Sequence, residues 1–155
     1  MNEKLIEWND TDIEIGYKGS LDVLLHERFT ENAECVAAKD QSGVFTYAQL
    51  EAASNAVSDI VRAAAEQNVC VLVGNRAERL AYVTGIIKAG RTYVPLGMNT
   101  PVKRNMEIVS NVEPGFILTD EENREDAELI ASEGAHQDDE RAGKSGLRLY
   151  TCRKN

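Results

Sequence analysis

The chain has 155 residues, 43% of them apolar and 28% charged, with a net charge of −9. That length suits one domain with a single buried core, and the excess of carboxylates excludes nucleic acid or an anionic membrane surface as the main partner, because either would repel it. No apolar run approaches the ~20 residues that span a bilayer, and Met1-Asn2-Glu3-Lys4 lacks the start of a secretion signal, so a cytoplasmic chain with reduced Cys35, Cys70 and Cys152 is expected.

Residues 1–19 carry apolar anchors on no single period (Leu5, Ile6, Trp8, Ile13, Ile15, Tyr17) and read as a linker-like segment. Ser20 suits an N-cap, with Asp22 in the first turn, and Leu21, Leu24, Leu25 and Phe29 fall on one helical face. Cys35–Ala38 and Val44–Thr46, either side of Gln41-Ser42-Gly43, predict a small hairpin. Both Cys35 and Cys70 lie in apolar runs and are expected to behave as small hydrophobes. Thr46 and Gln49 have capping-box spacing. They open a helix carrying Leu50, Ala53, Val57, Ile60, Val61 and Ala64, expected to end near Gln67-Asn68.

Val69–Val73 is a continuous apolar strand of the kind covered on both faces. Asn75 and Glu78 repeat the capping-box spacing, and Leu80, Val83 and Ile87 predict the buried stripe of a helix that runs to Gly90. Lys88 places a cation at the negative end of that helix, and Gly90 can take the left-handed backbone that stops it. Tyr93–Leu96 is the next strand, with Pro95 marking where ladder pairing stops. Thr100-Pro101 predicts a cap and a first-turn proline. Met106, Val109 and Val112 line the helix that follows, Pro114-Gly115 breaks it, and Phe116–Leu118 is a further strand.

Glu121–Ser132 predicts a short acidic helix carrying Ala127, Leu129, Ile130 and Ala131. The stretch from Gly134 to Gly146 is polar and aperiodic, a poorly ordered tail by composition, and Leu147–Tyr150 alternates like a strand. The regular alternation of strand and helix between 69 and 118 implies crossover units. The expected architecture is α/β: a largely parallel sheet flanked by helices, with a small N-terminal hairpin. Its parts are a linker-like segment (1–19), an α/β subdomain (20–120), and an acidic helix with its tail (121–155).

Catalytic groups are harder to find. His26 and His136 have no second ligand at a metal-binding spacing. Ala142-Gly143-Lys144-Ser145-Gly146 is half of a phosphate loop, with Asp138 where the pattern needs glycine. The acid clusters Glu121-Glu122, Glu125-Asp126 and Asp138-Asp139-Glu140 read as solvated faces, since nothing separates their proton affinities. The residues by themselves point to no catalytic, cofactor-binding or metal-binding set.

Four segments carry a family likeness. Trp8-Asn9-Asp10-Thr11 followed by Leu24-Leu25-His26-Glu27-Arg28-Phe29 resembles the join between a condensation and an adenylation domain. Phe45-Thr46-Tyr47-Ala48-Gln49-Leu50 resembles the first adenylation core motif and Ile87–Leu96 the second. Phe116-Ile117-Leu118-Thr119 resembles the strand that comes after. In that order, over roughly residues 5 to 120, they are similar to the N-terminal part of an adenylate-forming, AMP-binding domain of the nonribosomal peptide synthetase type. The resemblance implies that the full-length family uses ATP and Mg to turn a carboxylic acid, usually an amino acid, into an acyl-adenylate that passes to a carrier-protein thiol.

For this chain the resemblance implies scaffold roles for Thr46, Tyr47, Leu50, Lys88, Ala89, Gly90, Tyr93, Pro95 and Leu96. The family's phosphate loop ending in Pro-Lys-Gly, its magnesium-side acid, its ribose aspartate and its C-terminal lysine have no counterpart here. The expectation is therefore an incomplete N-terminal subdomain, inactive alone and with no cofactor of its own. Gly97 stands where the family usually has aspartate, and Met98-Asn99 where it has a proline-rich turn, which would relax that turn. Expected partners are the remainder of a synthetase or a carrier protein. The alternative is a non-catalytic interaction module docking on either. A third reading is a small α/β domain with a ligand site at its strand ends.

Overall fold

A computed structural model describes residues 10, 16, 17, 19–41, 43–74, 76–134 and 147–151. The linker-like segment lies almost wholly outside these residues. So do Asn75, His136, the acidic run at 138–140, the half phosphate loop and Cys152.

Helix α1 (Leu21–Glu31) leads into an antiparallel hairpin, β1 (Val36–Asp40) and β2 (Gly43–Thr46), and then α2 (Tyr47–Arg62). Strands and helices alternate from there: β3 (Asn68–Leu72), α3 (Arg79–Lys88), β4 (Thr92–Pro95), α4 (Val102–Val112) and β5 (Phe116–Thr119). One 3-10 turn (Glu121–Asn123), α5 (Arg124–Gly134) and β6 (Arg148–Thr151) complete the order. Strands β4-β3-β5-β6 form one sheet in that order, all parallel. The α/β class, the parallel sheet and the separate hairpin are as expected.

The sheet is covered on both faces. Val69, Val71 and Val73 of β3 and its end, with Phe116 and Leu118 of β5, pack on Val57 and Val61 of α2 and on Tyr82 and Ile86 of α3. The alternate residues Cys70, Leu72 and Ile117 pack on Val109 of α4 and on Ala127 and Ile130 of α5. This is the two-sided burial that the unbroken apolar run at 69–73 predicts. A smaller cluster of Phe29, Leu50 and Ala81 seats α1 against α2 and α3.

The caps follow local chemistry. The Gln49 backbone N–H donates to Thr46 Oγ1 (3.3 Å), and the Thr46 N–H donates to Gln49 Oε1 (2.9 Å), closing the capping box. Pro95 forms the last β3–β4 pair, opposite Val71. Gly90 has φ 68°, and Glu113 ends α4 in the left-handed conformation.

Several expectations are corrected. Helix α2 ends at Arg62 rather than near Gln67-Asn68. The Arg91 guanidinium donates to the Ala64 carbonyl (2.7 Å), and the chain turns so that Asn68 enters the sheet beside Thr92. Helix α3 starts at Arg79, and Glu78 makes no side-chain cap. Instead Asp40, at the end of β1, accepts the Ala77 N–H (2.8 Å) and supplies the anion that a helix start favours.

Leu80 is 42% exposed, and Val83 and Ile87 are only half-buried. The buried face of α3 is Ala81, Tyr82, Gly85, Ile86 and Lys88. In α1 only Phe29 is buried, while Leu21 is 52% exposed and Ser20 caps with backbone geometry alone. Cys35 is exposed and precedes β1, so it is no core hydrophobe, unlike buried Cys70. Pro101, not Thr100, holds the N-cap position of α4.

Gly97 does not loosen its turn. Buried Asn105 donates to the Gly97 carbonyl (2.9 Å) and accepts its N–H (3.3 Å). A Cβ at Gly97 would lie 2.1 Å from Thr100 Oγ1.

Candidate functional site

The scaffold residues gather in two places. Thr46, Tyr47, Leu50 and Lys88 meet where α1, α2 and α3 pack together. The Tyr47 ring lies 5.4 Å from that of Phe29, and Leu50 fills the cluster beneath. Ala89 and Gly90 turn α3 into β4. There Tyr93 leans on the α2/α3 core, Leu96 is buried on the opposite side, and Pro95 is exposed.

Lys88 is the most constrained of them. Its side chain is 7% exposed, and its ammonium donates to Glu51 Oε2 (2.5 Å), Ser54 Oγ (2.8 Å) and Asn55 Oδ1 (3.0 Å). All three ammonium protons are thereby taken. The charge also lies 5.2 Å from the centre of the Phe29 ring, a favourable cation–π distance. Glu51 is shared: its Oε1 lies 2.8 Å from His26 Nδ1 and accepts from Asn55 Nδ2 at 3.3 Å. Burial opposes ionisation of Glu51, but the Lys88 and His26 hydrogen bonds and the Lys88 charge outweigh it and hold the carboxyl below its ordinary value. Sequence reasoning missed Glu51. The signal was available: α2 repeats polar residues at 51, 54, 55 and 58, a stripe that a solvated face alone does not require.

An open cleft of about 370 Å³ lies beside this network. Asp22 and His26 of α1 form one wall, Glu51, Asn55, Ser58, Asp59 and Arg62 of α2 the other, with Lys88 of α3 at the base. Buried Ser58 Oγ has no hydrogen-bond partner among the described residues. Arg62 donates to the Lys88 carbonyl (3.0 Å) and so completes the C-terminal end of α3.

Apart from both places is the crevice beyond β3 and β5. Chain direction across the sheet reverses between these two strands, which is where open α/β sheets commonly bind ligands. Here protein fills it. Asp120 is 8% exposed, and its carboxylate accepts the Gly74 N–H (2.9 Å) and the Asn123 N–H (3.0 Å) and side-chain amide (2.6 Å). Burial raises its proton affinity, but these hydrogen bonds prevail and lower it. Arg76 forms an ion pair with Glu122 beside it.

Among the described residues no group of three or more His, Cys, Asp and Glu side chains is placed to hold a metal. No described helix is long and apolar enough to cross a membrane.

Comparison with known proteins gives the arrangement its family. The family model "AMP-binding enzyme" matches residues 25–151. A linear gramicidin synthase of Brevibacillus parabrevis is 32% identical over 124 residues, 76% of this chain and 2% of that protein. The enniatin synthase of Fusarium equiseti is 33% identical over 98 residues, 61% of this chain and 3% of that protein. The chain therefore spans a small part of these relatives. The anthranilate CoA ligase AuaEII, solved in complex with anthranoyl-AMP, superposes with a TM-score of 0.72 at 15% identity, over 90% of this chain and 26% of that one. That last likeness is one of fold. Matched by the family model from α1 to the end of β6, the chain belongs to the AMP-binding enzyme family.

Proposed function

We propose that this chain is the N-terminal α/β part of an amino-acid-activating adenylation domain and that it forms no adenylate alone. The observation that carries this reading is the employment of its motif residues. Thr46 caps α2, Lys88 is saturated by Glu51, Ser54 and Asn55, and Gly90 turns α3 into β4. Each has a structural duty and none is free to grip a nucleotide. The peptide synthases among its relatives support the choice of an amino acid as the activated acid. ATP–pyrophosphate exchange across a panel of amino acids tests the reading. No exchange above a no-protein blank is expected; amino-acid-dependent exchange by this chain alone overturns it.

A non-catalytic module docking on a synthetase or a carrier protein is the second reading. It is favoured by the exposure of Leu21 (52%), Val23 (46%), Val36 (60%) and Val44 (48%) on α1 and the hairpin. A monomer that elutes unshifted in the presence of a carrier protein or synthetase would count against it.

A further inference from the structure

We propose that the cleft between α1 and α2 binds a small hydrophilic primary amine, its ammonium held by carboxylates of the walls and by Ser58. The charges that line the cleft set the sign of the ligand. There are three carboxylates, Asp22, Glu51 and Asp59, and two cations, Arg62 and Lys88, so with histidine uncharged the walls carry one negative charge in excess. Lys88 and Glu51 satisfy each other at the base. Arg62 gives one nitrogen to the Lys88 carbonyl (3.0 Å), and another stands 4.0 Å from Asp59 Oδ1, too far for a hydrogen bond. Both built-in cations are thus committed, and the excess falls on Asp22 of one wall and Asp59 of the other.

A second observation is independent of this charge. Ser58 lines the same cleft and is 3% exposed, yet its Oγ has no hydrogen-bond partner among the described residues. A buried hydroxyl left unpaired is costly, and an N–H entering from the cleft would satisfy it. An ammonium carries three donors and no acceptor, enough for Ser58 and for carboxylates beside it. A phosphate or carboxylate ligand would be repelled by the same walls. The volume of about 370 Å³ lies at the small end of the range for organic-ligand sites. Asn55 and exposed His26 keep the rest of the lining polar, which selects a hydroxylated body over an alkyl chain.

Titration of the isotope-labelled full chain with glucosamine, at neutral pH and constant low ionic strength, tests this through amide NMR shifts. Saturable shifts are expected in α1 and in the second half of α2, with a dissociation constant on the order of 1 mM. Glucose, which lacks the ammonium, and glucuronate, which carries the opposite charge, should give no saturable shift there. Asp59→Asn and Ser58→Ala should each weaken glucosamine binding about threefold, with the amides of β3 and β5 unmoved as the sign that the fold is kept. Absence of saturation up to about 50 mM glucosamine overturns the proposal. So does an equal response to glucose, an equal response to ammonium chloride, which would mark a diffuse ionic atmosphere, or full affinity in either variant.

Discussion

At the residue scale, Lys88 and Glu51 show how a buried cation is tolerated. Neither would be stable in that position alone, because removing one partner leaves an uncompensated charge away from water. Glu51→Ala should therefore cost about 3 kcal/mol, a fall of roughly 6–12 °C in Tm for a chain of this size. Adding Lys88→Met to E51A should recover part of the loss by removing the stranded cation, and thermal unfolding of both variants checks it. The sign of the pH dependence follows from the lowered proton affinity of Glu51. Its contribution is present above the ordinary glutamate value of about 4.3 and disappears as pH falls through the lower folded-state value. E51A should lose that part of the acid sensitivity, leaving the similar contribution of Asp120.

At the scale of elements, α2 and α3 approach closely because Gly85 has no side chain. A Cβ there would lie 2.6 Å from the Ser54 carbonyl oxygen and 2.6 Å from Val57 Cβ. Backbone cannot yield as a flexible side chain does, so Gly85→Ala should force the helices apart at a cost of about 1–3 kcal/mol. Urea denaturation should show a lower midpoint with the slope unchanged. The same packing explains what sequence alone could and could not show. The capping box at Thr46, the hairpin and the alternation of strand and helix depend on neighbours within a few residues, and all are visible in the chain. The buried face of α3 depends on two surfaces at once, the sheet beneath and α2 beside it. One helical stripe through Leu80, Val83 and Ile87 could not represent both, and the true face is broader and rotated toward Tyr82 and Ile86. The polar stripe holding Glu51 was visible, but its pairing was hidden for a related reason: its partners, Lys88 and His26, are 37 and 25 residues away in sequence. Asp40, reaching 37 residues to the start of α3, and Asp120, reaching 46 to Gly74, were unreadable for the same cause.

At the scale of the whole molecule, two apolar layers enclose the sheet, and Cys70 lies between them at the centre of β3. It is fully buried, and burial alone pushes its thiol up to about 12. A thiol reagent attacks the thiolate, so the folded chain presents Cys70 both inaccessible and protonated. Cys35, in contrast, is exposed before β1. Pulse alkylation followed by mass spectrometry should modify Cys35 in native buffer and leave Cys70 untouched until the sheet comes apart. Once reagent outpaces refolding, the rate at which Cys70 gains mass becomes the rate of global unfolding. One sulfur in the middle strand thus serves as a built-in stopwatch for the survival of the entire architecture, with no probe to be introduced.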